Sequence, residues 1–298
     1  MAWWVTINKP ITPAMLAGVV AQDTPMAPEH SQTTVDSLLH PWAVTIRRLL
    51  DRAGRLELEK ILIDDEENIE QARMAGVELE AVFYAGEERV SDQLKERLPR
   101  DIPLFEVAKR TCKKLFENDR ISRVFAVART PAAVSLQQLA AVPRDLVVLE
   151  DLSISGNVGA ILRTSLALGV GGVVLLEASA VDLYDRRLIR SSRGYVFALP
   201  VVSATTAELL AFARAQRARL LITAPHAELE LDRVATLSER LLLVFGGEKE
   251  GCSEELLNGA DLRVRIPIDP RVESLNVAAA AAIVLFARSA FNRAAAGA

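Results

Sequence analysis

The sequence predicts an α/β protein of two domains, the second of them doubly wound around a parallel sheet. Three observations carry that expectation. The chain has 298 residues, half of them apolar, which is enough for two separate cores. From Val35 onward, short apolar runs alternate with amphipathic stretches. In the second half the runs are continuously apolar, as in Leu146 to Leu149, the pattern of strands covered on both faces.

Taken in order, residues 1–36 mix Pro10, Pro13, Pro25 and Pro28 with Ser, Thr, Gln and Asp and show no sustained period, so a flexible arm is expected. Residues 37–130 read as a compact α/β domain. Its elements are a helix through Arg47 to Asp51, a β-rich run Leu58 to Ile63, a helix Glu66 to Met74 stopped by Gly76, and a strand near Leu79 to Tyr84. A helix near Asp92 to Leu98, a short strand at Leu104, a helix near Lys109 to Leu115 and a strand Arg123 to Ala128 complete it. Pro131 and Pro143 bracket residues 131–144, which read as a link. In residues 145–298 the strands are Leu146 to Leu149, Val173 to Leu176, Leu220 to Thr223, Leu241 to Phe245 and Leu262 to Ile266. A helix Ala160 to Leu168 follows the first strand, and an alanine-rich helix from Leu275 ends the chain. A ligand belongs at the carboxyl ends of such strands, where the loops Glu150 to Asn157, Gly246 to Cys252 and Ile266 to Asn276 emerge.

The net charge of −4 argues mildly against a polyanionic partner. Its distribution argues the other way. Residues 64–70 hold five carboxylates, whereas Lys109, Arg110, Lys113, Lys114, Arg120, Arg123 and Arg129 face only Glu117 and Asp119 between Val107 and Arg129. That run reads equally as a basic contact surface or as a solvated helix face. Cys112 and Cys252 form no CxxC pair and the chain has three histidines, so neither a disulfide framework nor a metal site is expected. The apolar runs are too short to span a bilayer and the N-terminus has no basic region ahead of its apolar residues, so no membrane association and a cytoplasmic location are expected.

A conventional dinucleotide domain would carry G-x-G-x-x-G after its first strand, and DLSISGNVGA at 151–160 does not fit. Asn157 there reads as a helix N-cap and Arg163 as a surface residue when each is taken singly. Other loops point to a site. In FGGEKEG, Gly246 and Gly247 permit close backbone approach and leave Glu248 at the mouth. Ile266-Pro267-Ile268 ends the last strand, and Glu273 to Val277, with Ser274, Leu275 and Asn276, opens the final helix, whose first N–H groups can hold a polar ligand.

GNVGAILRTSLALG, LVFGGEKEG and RIPIDPRVESLNVAAA resemble, in order and spacing, the three motifs of the SpoU/TrmH family of SPOUT methyltransferases. Through DRRLIRSSRGYVFALPVV and ILIDDEENIEQARMAGVELEAVFYAG the likeness extends to the thiostrepton and nosiheptide resistance rRNA methyltransferases. The resemblance implies a SPOUT domain with a deep trefoil knot, preceded by an RNA-binding domain similar to the ribosomal protein L30e fold. It also implies S-adenosylmethionine as methyl donor, held largely by backbone at Ala224, Gly246, Gly247, Ile266, Ile268, Leu275 and Asn276. Arg163 is implied as the catalytic arginine, with Asn157, Glu248, Ser274 and Asn276 around it, and a homodimer as the working form. The implied acceptor is a ribose 2′-hydroxyl in a 23S rRNA loop of the thiopeptide-binding type, and Arg120, Arg123 and Arg129 are the expected RNA contacts.

Such a hydroxyl is a poor nucleophile at neutral pH, so the site must align it with the methyl group and favour developing oxyanion character. A guanidinium stays protonated, which makes Arg163 a fork for phosphate and oxyanion rather than a base. Two rivals stay open, a tRNA 2′-O-methyltransferase and an RNA-binding protein that keeps the fold without the chemistry. The second predicts loss of Arg163, Glu248 or Asn276, and all three are present.

Overall fold

A computed structural model describes residues 33–117, 119–176, 181–224, 227, 229–247 and 250–296. The chain divides into two compact units, Met1–Pro131 and Ala132–Ala298.

In the first unit, strands β1 (Thr33–Val35), β2 (Lys60–Asp64), β3 (Leu79–Ala85), β4 (Leu104–Val107) and β5 (Val124–Arg129) form one sheet in the order β1-β4-β3-β5-β2. β1 and β3 flank β4 in parallel, while β5 runs antiparallel to β3 and β2. Helices α1 (Pro41–Leu49), α2 (Arg52–Leu58), α3 (Glu66–Met74), α4 (Asp92–Arg97) and α5 (Lys109–Leu115) join them. The core centres on aromatic rings, with Phe83 stacked on Phe105 and Phe125 at centroid separations of 5.4 and 5.2 Å.

Two sequence expectations change here. Thr33–Val35, expected at the end of the arm, pair with β4, and Val35 is fully buried in the core. The helix expected to end at Asp51 stops at Leu49, and Asp51 instead precedes α2, so Leu58 is helical and the strand starts at Lys60. Glu59, at φ +52°, makes the reversal between them.

The second unit carries a seven-stranded sheet, parallel throughout. Its strands are β6 (Leu146–Leu149), β7 (Gly172–Leu176), β8 (Val201–Ala204), β9 (Arg219–Thr223), β10 (Leu229–Glu230), β11 (Leu241–Phe245) and β12 (Leu262–Arg265), in the order β10-β12-β9-β11-β6-β7-β8. Helices α6 (Leu136–Ala140), α7 (Ser155–Ala167), α8 (Arg186–Ser191), α9 (Thr206–Gln216), α10 (Leu231–Val234), α11 (Glu254–Gly259) and α12 (Val277–Ala296) complete it. The segment expected as a plain link contains α6, closed by a reciprocal Ser135–Gln138 capping box, and Leu139 is part of the sheet core.

Position 145, just before β6, holds the unit together. Asp145 accepts from Arg288 Nε at 2.8 Å and Nη2 at 3.0 Å, and both residues are fully buried. Arg288 also donates to the carbonyls of Val234, Leu237 and Glu239, and Asp145 accepts from the Leu241 N–H that starts β11. One charge pair thus fastens α12 to the amino ends of two central strands. No helix among the described residues is long and apolar enough to cross a membrane.

Candidate functional site

Because β12, β9, β11 and β6 are parallel neighbours, their carboxyl ends fall in a row. Ile266, Ala224, Gly246 and Glu150 succeed one another across it at about 4.8 Å per strand. The loops leaving these strands close on one another. Gly251 N–H donates to the Gly247 carbonyl at 3.0 Å, an isolated bridge that brings these two glycines together. A Cβ on Gly246 would sit 2.3 Å from the Gly251 backbone, and one on Gly247 would sit 3.1 Å from the Asp151 carbonyl. Only glycine at 246 permits this loop to fold so closely on itself, and a side chain at 247 would press on the loop after β6. Glu248 lies outside the described residues.

The loop after β12 returns to α7. Asn276 accepts from the Ala278 N–H at 2.9 Å, capping α12, while its Nδ2 donates to Asn157 Oδ1 at 3.1 Å. This corrects two expectations. α7 begins at Ser155 with Ile154 at its N-cap, so Asn157 stands in the first turn rather than at the cap. The final helix starts at Val277, which leaves Leu275 and Asn276 in the loop ahead of it. Ser274 is exposed and Leu275 half-buried.

Arg163 stands apart from that amide pair. Six residues beyond Asn157 on the same helix, it is rotated by about 120° and advanced by about 9 Å. It is exposed and has no ion-pair partner among the described residues. α7 itself is fixed at Gly159, where a Cβ would lie 2.1 Å from Ser191 Oγ on α8, and that hydroxyl donates to the Ser155 carbonyl at 2.8 Å.

One contributor was missed in the sequence. Glu150, buried at the end of β6, accepts from the Ser253 N–H at 2.8 Å and so ties the β6 loop to the start of α11. Its carboxylate, after burial itself, raises the thiol of half-buried Cys252, whose pKa is pushed up to about 12. A carboxylate at the end of an otherwise apolar strand was the available signal. The loop after β12 also presents apolar side chains. Ile268 and Val272 are 38% and 48% exposed, and Ile266 is half-buried.

In the first unit, Arg120, Arg123 and Arg129 each face a carboxylate, Asp65 at 3.4 Å, Glu88 at 3.6 Å and Glu78 at 3.4 Å respectively. They do not share one strand end. Arg129 closes β5 and Arg123 precedes it, which separates them by about 20 Å at strand rise. Of the arginines on and after α8, Arg186 is buried, Arg190 half-buried, and Arg187 and Arg193 exposed.

Fold and site together define an α/β protein with a parallel sheet in its second unit, where glycine-bearing loops gather at the carboxyl ends of adjacent strands. Residues 145–286 match the SpoU rRNA Methylase family, and residues 32–142 match the thiostrepton-resistance methylase N terminus. The chain is 37% identical over 252 residues to the 23S rRNA (adenosine(1067)-2′-O)-methyltransferase of Streptomyces laurentii, covering 83% of this chain and 93% of that enzyme. A crystal structure of an RNA 2′-O ribose methyltransferase superposes with a TM-score of 0.74 at 29% identity, over 88% of this chain and all of the other. The SpoU methyltransferase AviRb from Streptomyces viridochromogenes, in complex with AdoMet, gives a TM-score of 0.72 at 25% identity, over 84% of this chain and 98% of that one. The chain belongs to the SpoU rRNA methylase family. It is an RNA methyltransferase that takes its methyl group from S-adenosylmethionine.

Proposed function

We propose that the protein methylates a ribose 2′-hydroxyl of 23S rRNA in the folded loop that thiopeptide antibiotics occupy. The observation that carries this is the pairing, in one chain, of a thiostrepton-resistance N terminus at 32–142 with the methylase region at 145–286. The N-terminal unit then serves as the L30e-like RNA grip, and the C-terminal return of α12 onto α7 belongs to a deep trefoil knot.

The residues at the sheet edge fit the donor. Its adenine is apolar on both faces and polar at its rim, and the row offers exposed Ile268 and half-buried Ile266 and Leu275 beside loop backbone at Ala224, Gly246 and Gly247. When bound, S-adenosylmethionine supplies an electrophilic sulfonium methyl group. Asn276 holds the β12 loop against Asn157 and so sets the wall of the pocket. Arg163 grips the phosphate beside the target ribose and stabilises the oxyanion as the hydroxyl proton leaves to phosphate or water. Ser274, exposed in the loop ahead of α12, adds a polar group, and a role for Glu248 rests on the family motif alone.

A homodimer is part of this reading. Ala279, Ile283, Phe286 and Ala290 are exposed on α12 at seam-like spacing, with Phe286 72% exposed, an apolar stripe suited to a second copy. Arg187 and Arg193 are the arginines of their cluster with the exposure needed for further RNA contact. Arg120 and Arg123 contact phosphates as well, since exposed ion pairs are worth only about 0–1 kcal/mol and yield readily. The location consistent with rRNA as substrate is the cytoplasm. Labelled donor with total rRNA and tRNA, followed by mapping of the modified nucleotide, tests the assignment. Label in 23S rRNA at a single 2′-O position supports it, and label in tRNA alone replaces it with the tRNA-modifying alternative.

A further inference from the structure

Helix α5 has an outer face that its own stability does not explain. Thr111, Cys112 and Leu115 are buried beneath it, and Thr111 Oγ1 donates to the Asp36 carbonyl at 2.7 Å, so the helix is anchored. Its remaining four residues, Lys109, Arg110, Lys113 and Lys114, are all exposed cations. None has an ion-pair partner among the described residues, whereas Arg120, Arg123 and Arg129 each do.

Local electrostatics oppose this arrangement. Lys109 with Lys113 and Arg110 with Lys114 are like charges four residues apart, which repel across one turn. Lys109 and Arg110 sit in the first turn, where the helix dipole disfavours cations and no acidic residue stands, while Lys113 and Lys114 in the last turn are the two cations that the dipole favours. Ala108 at the N-cap adds no side-chain bond. Two other helices of the unit, α3 and α4, follow the opposite rule. α3 opens with Glu66 and Glu67 and pairs Glu70 with Arg73, and α4 opens with Asp92 beside Lys95. An excess of cations cannot be a reflection of bulk composition in a chain of net charge −4. Places where a sequence breaks local rules on an otherwise regular scaffold are the places to look for function.

We propose that the outer face of α5 is an RNA backbone grip, with Lys109, Arg110, Lys113 and Lys114 holding consecutive phosphates of the substrate. The two cation pairs form rows about 6 Å long, which suits a run of phosphates better than a single anion. Contacts of this kind fix register and supply affinity without reading bases. The inference rests on the substrate being RNA, but not on which RNA it is.

The test uses the full chain with all four residues changed to Gln, a 23S rRNA loop transcript and a tRNA. Measured are RNA affinity across a salt series, donor affinity by calorimetry, and the melting temperature. RNA binding should weaken by about tenfold or more, and the slope of log affinity against log salt should flatten by about 0.7–0.9 per lost contact. Donor affinity should hold, because the side chains are exposed and lie in the other unit from the donor loops, and the melting temperature should hold or rise, because the like-charge repulsion is gone. An unchanged salt slope, with transfer retained by the parent enzyme, overturns the α5 grip alone. A parent enzyme that methylates tRNA and not the transcript, but loses tRNA affinity in the variant, overturns the 23S assignment and supports the grip.

Discussion

Replacing Arg288 by Met should be among the most damaging single changes in the methylase unit. The substitution keeps volume and apolar character along α12 but removes a guanidinium that makes two bonds to Asp145 and three to backbone carbonyls. What remains is a fully buried carboxylate with the Leu241 N–H, and carbonyls at positions 234, 237 and 239 that lose a donor. Breaking one side of such a pair costs about 3–5 kcal/mol. For a unit of this size each kcal/mol moves the midpoint by about 2–4 °C, so a fall of about 6–20 °C is expected in differential scanning calorimetry. The double variant Asp145→Asn with Arg288→Met should recover part of the loss, because the stranded charge is gone. The pair lies at the amino ends of β6 and β11, a strand length of about 13 Å from the donor loops, so donor affinity well below the midpoint should be retained. A single Arg288→Met variant melting within about 2 °C of the parent would refute the reasoning, since solvent or a rearranged helix would then be satisfying Asp145.

Other outcomes follow from the same geometry. Gly159→Ala forces α7 from α8 against Ser191 and should cost about 1–3 kcal/mol, read as a lowered midpoint in chemical denaturation. Arg163→Ala should leave donor binding nearly intact in calorimetry while abolishing transfer; equal loss of both would remove its assigned role. Burial and Glu150 hold the Cys252 thiol protonated up to about pH 12, so a thiol reagent at pH 8 should label native protein slowly and urea-unfolded protein at once. Folded Cys252 keeps a proton that the unfolded thiol releases near pH 9, so this residue favours folding below that pH and its contribution is lost as pH rises toward 12.

The continuous apolar strands were legible because burial on both faces leaves no room for polar residues, and β6, β7, β9, β11 and β12 were located to within a residue or so. β8 was missed, since Val201–Ala204 is short, half-exposed and sits at the sheet edge. α6 carried a readable capping box in Ser135 and Gln138 that the flanking prolines obscured. Among site residues, the glycine loops and Asn276 were readable as types, but the meeting of Asn276 with Asn157 spans 119 positions and depends on the return of the last loop. The Asp145–Arg288 pair was invisible for the same reason, with 143 positions between its members. Arg129 was grouped with Arg123 in sequence, and strand rise alone separates them.

The central claim is transfer of a methyl group to a ribose 2′-hydroxyl of a 23S rRNA loop. The direct measurement is incorporation of labelled methyl from S-adenosylmethionine into a transcript of that loop, set beside the same RNA carrying a single 2′-deoxy nucleotide at the mapped position. The account predicts stoichiometric incorporation into the first and none into the second. Equal incorporation into both, or incorporation into tRNA while the loop transcript stays unlabelled, would contradict it.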